Sequence, residues 1–125
     1  MPGTVRDLGR ETNLLIRRLR GWTGSSWDVR IPGGQTRATR VRLLIDEFAE
    51  LGRLAGSGAP AGAQPPAVAP HALPDQLTVL VEDFIEAVTV DGAVRPQAED
   101  LVARATRAVA EARADLDVGF GFRPA

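Results

Sequence analysis

Thr36-Arg-Ala-Thr-Arg-Val-Arg-Leu-Leu-Ile-Asp-Glu-Phe-Ala-Glu-Leu-Gly-Arg-Leu54 is the stretch whose reading decides the fold. Val41, Leu44, Ile45, Phe48, Leu51 and Leu54 recur at intervals of three and four residues, the period that stacks side chains on one face of an α-helix. Thr36 stands just before the run, where its hydroxyl can accept from an orphan N–H of the first turn. The stripe therefore predicts a helix over about 36–55, ending near Gly56, and an apolar face that must be covered by other elements.

Outward from that helix the same period returns three times. Thr4 with Asp7 has the form of a capping box, and Val5, Leu8, Leu15, Ile16 and Leu19 then predict a helix over about 4–20, stopped at Gly21. Leu77, Leu80, Val81, Phe84, Ile85 and Val88 predict a third over about 74–90, closed by the Asp91-Gly92 turn signal. Pro96 suits a first helical position, and Ala98, Leu101, Val102, Ala105, Val109, Ala112 and Leu116 form a small-residue stripe for a fourth over about 96–117. Residues 21–36, rich in glycine and proline, read as a long loop carrying Trp22 and Trp27. Residues 56–74, Gly-Ser-Gly-Ala-Pro-Ala-Gly-Ala-Gln-Pro-Pro-Ala-Val-Ala-Pro-His-Ala-Leu-Pro, read as a linker that forbids helix and offers little to bury. A coil of that length spans on the order of 24 Å, so the third helix can run either way relative to the second. The expectation is a single all-α domain over 1–125, a four-helix bundle built from two helical hairpins joined by the Pro/Gly/Ala-rich linker, with a non-helical tail over about 118–125.

Composition narrows the chemistry. With 125 residues there is room for one core, and with no cysteine, no tyrosine and one histidine there is no disulfide framework, thiolate metal site or cysteine nucleophile, and little acid–base vocabulary. The first residues lack a signal-peptide layout and no apolar run approaches the ~20 residues of a bilayer span, which predicts a soluble cytoplasmic protein without membrane contact. All fifteen basic residues are arginine and alanine is abundant, read as the coding bias of a high-GC genome such as an actinobacterial one. Residues 1–55 hold ten arginines against six acids and 56–125 hold five against ten, so a basic half faces an acidic one.

Each cluster of candidate residues also has a structural explanation. Arg6, Arg10, Arg17, Arg18 and Arg20 could track phosphates, but Asp7 and Glu11 interrupt them and the loop that follows is too long for a helix-turn-helix, so nucleic-acid binding is not expected. Glu82, Asp83 and Glu86 with Asp46, Glu47 and Glu50 read as solvated helix faces, and His71 as a solvated histidine in the linker. Ser25 and Ser26 read as turn serines without a base. Trp22 and Trp27 either plug one end of the bundle or line a pocket. Phe120 and Phe122 alternate with glycine in the tail and need an apolar surface, on this bundle or on a second subunit.

Leu15 to Gly52 resembles the N-terminal part of the DinB-like four-helix bundles, and in particular the mycothiol-dependent maleylpyruvate isomerase N-terminal group. Trp27 takes the place of the tryptophan after the first helix, and Gly34-Gln35-Thr36 that of the Gly-Trp-Thr entering the second. The resemblance implies a bundle whose ancestral centre binds a divalent metal and acts on thiol adducts. It also implies that the ligands are gone, since Leu43 stands where the first histidine belongs and residues 101–117 contain none. The expected function is thus a non-catalytic binding or assembly protein, a degenerate relative of metal-dependent thiol transferases with no metal and no cofactor. It would act on an unknown protein partner or on itself as a homodimer, through Trp22, Trp27, Thr36, Phe120 and Phe122. A thiol-dependent transferase or isomerase using a non-histidine site is the alternative.

Overall fold

A computed structural model describes residues 4–56 and 64–119. Four helices carry the chain: α1 (Val5–Arg20), α2 (Arg37–Leu54), α3 (Leu73–Val88) and α4 (Glu99–Gly119). The two threonine caps form as read: Thr4 Oγ1 accepts from the Asp7 N–H at 2.9 Å and Thr36 Oγ1 from the Thr39 N–H at 3.1 Å. Helix α3 stops at Val88 because Thr89–Val90 and Ala93–Val94 pair as a two-stranded ribbon, β1 and β2. Asp91 (φ 54°) and Gly92 (φ 81°) turn it with the two positive φ angles that suit the twist of a tight hairpin. A 3₁₀ turn over Pro96–Ala98 precedes α4, three residues later than the periodicity suggests.

Ion pairs between helices fix their directions. Arg20 meets Asp75 at 2.8 Å, so the end of α1 lies beside the start of α3 and the two are antiparallel. Arg40–Asp115 and Glu47–Arg104 make α2 and α4 antiparallel, while Glu11–Arg113 and Arg18–Asp117 make α1 and α4 run the same way. Helices α2 and α3 are parallel, since one guanidinium, Arg95, donates at 2.9 Å both to the Ala55 carbonyl closing α2 and to the Ala87 carbonyl near the end of α3. Going round the bundle the order is α1, α4, α2, α3. The helices joined by the tryptophan loop, and those joined by the ribbon, lie across diagonals and make only glancing contact among the described residues.

Two expectations change. The paired helices keep the connectivity of hairpins, but each packs chiefly on helices of the other pair. The far end of the linker is also more than a spacer: Leu73 and Pro74 are buried, Val68 packs against the core, Arg42 donates to the Val68 carbonyl and Gln76 to that of Pro66. The core otherwise holds most of the striped residues, with Phe48 and Phe84 edge to face at 5.8 Å, but Val5, Ile16, Leu80, Ile85 and Leu101 are only partly buried and Leu54, in the last turn of α2, is 45% exposed. Ala98, just before α4, and Ala105, Ala108 and Ala112 within it are buried, which lets α1 and α2 approach α4 closely.

Candidate functional site

The end of the bundle formed by the close of α1, the start of α2, the start of α3 and the close of α4 carries most of the residues singled out above. The loop from Gly21 to Thr36 must cross the diagonal, and it closes on itself on the way. The Ile31 N–H donates to the Gln35 carbonyl at 2.9 Å and the Arg37 N–H to the Val29 carbonyl at 2.9 Å. Gly33 and Gly34, at φ 99° and 94°, supply a turn that a side chain would strain. This local closure drives Trp27 and Ile31 into the core at 2% and 4% exposure. Trp22 packs edge-on against Trp27, with ring centroids 5.0 Å apart.

Arg37 completes the cluster. It is the first residue of α2, where the helix dipole disfavours a cation, yet it is buried with its guanidinium 4.5 Å from the Trp22 ring centroid. Nη1 donates to the Ser26 carbonyl at 3.1 Å. Burial, and then the nearby charge of Arg18, hold its pKa below the ordinary arginine value. The face of the Trp22 π-system and the Ser26 carbonyl partly replace the water it has lost. Thr36, by contrast, is occupied as a cap, its hydroxyl also donating to Thr39 Oγ1 at 3.0 Å.

Beside Trp22 opens a cleft of about 400 Å³ lined by Leu14, Arg17, Arg18, Gly21 and Trp22. Leu14 is 40% exposed, so its apolar surface faces water at the cleft. Arg18 is tied to Asp117 at 2.9 Å, and the described residues give Arg17 no ion pair. An apolar floor with guanidinium groups at its rim suits an apolar side chain or ring next to a carboxylate. A second groove, at the opposite end of the bundle, is lined by Gly56, Asp83, Glu86 and Ala87.

Trp22, Trp27 and Thr36 therefore share one end of the molecule, with Trp27 inside it and Trp22 at the edge of the cleft. Phe120 and Phe122 lie outside the described residues. Leu43, which the resemblance aligns with a metal-binding histidine, sits on the outer side of α2 and is 51% exposed. His71 is exposed in the 3₁₀ turn before α3. Leu14, Arg17, Arg18 and Arg37 were missed as site residues. Leu14 left a trace in the sequence, as an apolar residue off the α1 stripe; Arg37 left none, because its burial depends on how the loop folds. No family model matches this chain, nor does any curated protein or solved structure. No helix of the described residues is long and apolar enough to cross a membrane.

Proposed function

We propose that this is a non-catalytic helical-bundle protein that works by binding or assembly in the cytoplasm, through the tryptophan end. One observation carries the reading: Leu14, 40% exposed, and the edge of Trp22 stand in an open cleft bordered by Arg17 and Arg18. Leaving a leucine half in water beside two cations adds nothing to the core. Covering both with a partner removes apolar area worth roughly 25 cal/mol per Å². Trp27 and Gly34-Gln35-Thr36 support kinship with the DinB-like bundles, and Leu43 in the histidine position supports the degenerate form of that kinship. Phe120 and Phe122 belong to the same reading as apolar groups that a partner or a second subunit would cover.

Cross-linking the full chain in its host cell, with Leu14→Glu as the comparison, tests this. A specific adduct, to another protein or to a second copy, is expected for the parent and lost for the variant while helical circular dichroism is unchanged. An identical set of adducts from both chains would sink the cleft as the binding place. Turnover of a thiol adduct by the purified protein would replace the reading with the transferase alternative.

A further inference from the structure

Helices α1 and α3 are neighbours in the bundle and run in opposite directions. On α1 the exposed residues include Arg6, Arg10, Asn13, Leu14 and Arg17, and on α3 they include Asp75, Val79, Glu82, Asp83 and Glu86. Both sets follow the same steps of 4, 3, 1 and 3 residues, so they form matching stripes on the outer side of each helix. One stripe holds three arginines and a leucine; the other holds four carboxylates and a valine, Val79, that is 54% exposed. The described residues give no ion pair to Arg6, Arg17, Glu82, Asp83 or Glu86.

Resting on the binding-or-assembly reading, we infer that the partner covering this face is a second copy of the chain, docked so that α1 of each protomer lies against α3 of the other. A two-fold axis parallel to the helices produces that arrangement and closes it, as an isologous interface must. The axis keeps every residue at its own height along the bundle. Because α1 and α3 are antiparallel and level at Arg20–Asp75, equal heights bring α1 residues opposite α3 residues in reverse order. To within three residues, about 4.5 Å of helical rise, Arg17 then falls near Asp75, Leu14 near Val79, Arg10 near Glu82 and Asp83, and Arg6 near Glu86. The two exposed aliphatic side chains meet at the centre and the charges pair on both sides of them. Running the same stripes in the opposite sense would set Arg6 near Asp75 and Leu14 near Asp83, burying a carboxylate against a leucine. Charge pairs at the rim set register and partner choice, and the central Leu14–Val79 contact excludes water.

The test is a charge swap read by sedimentation equilibrium and light scattering on the full chain. The parent is expected to dimerise, with a dissociation constant that rises as salt is added. Arg6→Glu with Arg10→Glu, or Glu82→Arg with Glu86→Arg, each sets like charges against each other at both contacts and should weaken the dimer about tenfold or more. Mixing the two variants pairs opposite charges at both contacts and should restore association as a heterodimer. The four-substitution chain should likewise dimerise by itself. These changes are at exposed positions, and circular dichroism identifies any variant that fails to fold. For such a variant the salt titration of the parent and Leu14→Glu decide in its place. A parent monomeric at about 100 μM overturns the inference. So do a dimer that ignores both reversals and a swap that does not rescue. Indifference to reversal removes only this interface and leaves assembly standing, whereas a monomer with no cross-linked partner removes both.

Discussion

Thr12 is 6% exposed, and its hydroxyl has no hydrogen-bond partner among the described residues. A buried unsatisfied hydroxyl costs about 1–3 kcal/mol, and valine has nearly its shape. Thr12→Val should therefore raise stability by about 1 kcal/mol, seen as a higher denaturation midpoint with an unchanged slope. Arg37 is the opposite case, since its cation is held by the Trp22 face and the Ser26 carbonyl. Arg37→Met keeps the aliphatic stem but loses the cation over Trp22 and one of that carbonyl's donors, the Val29 N–H at 3.4 Å remaining, and should cost about 1–2 kcal/mol and change the near-ultraviolet circular dichroism of the tryptophans. Sequence alone shows Thr12 only as a polar residue near the α1 stripe. Arg37, an arginine in a first helical turn, looks solvated until the loop is seen folded over it.

At the level of elements, caps and stripes were legible, because Thr4 and Thr36 act within three residues of themselves and the apolar period is local. The ends that depend on distant groups were not. Arg95 follows the ribbon in the chain and yet holds the last carbonyls of two helices, α2 and α3, with one guanidinium nitrogen. Cations at helix C-termini satisfy orphan carbonyls and oppose the dipole. Arg95→Met should cost about 2 kcal/mol, with amide exchange accelerating first in the last turns of α2 and α3. Within α2, the hydrogen bond from Arg53 holds the Glu50 pKa below the ordinary carboxylate value. A depressed folded-state pKa contributes stability above the unfolded value and loses it as pH falls through the folded one. Glu50→Gln should thus narrow the difference in melting temperature between pH 6 and pH 3, and the pair acts as a modest surface contribution.

For the molecule as a whole, parallel α2 and α3 mean that the connection between them must return along the length of the bundle. The 18 residues of α2 amount to about 27 Å. The 18-residue connection Ala55–Ala72 has ample reach at about 3.3 Å per extended residue. Deleting Gly62 to Ala67 leaves enough chain to span, removes the Gln76 bond to the Pro66 carbonyl, and should cost only about 1 kcal/mol. Cutting the connection to fewer than about eight residues should instead abolish the monomeric fold or force exchange of α3 and α4 between copies, read as a change of mass in solution.

Local order by itself determined the number of helices, their approximate limits and most of the core that the helices contribute, because a 3.6-residue apolar period and a capping threonine act over a few neighbouring residues. It did not determine which helices touch. A connection as long as residues 56–74 permits either direction for α3, and the choice was made by packing between residues far apart in sequence, Phe48 against Phe84 among them, with Arg20–Asp75, Arg40–Asp115 and the bonds of Arg95 to two helix ends consistent with it. The same holds for the candidate site. Both tryptophans were visible in the sequence, but burying Trp27, stacking Arg37 on Trp22 and opening a cleft at Leu14 required the loop to cross a diagonal, and only the packed bundle has a diagonal to cross.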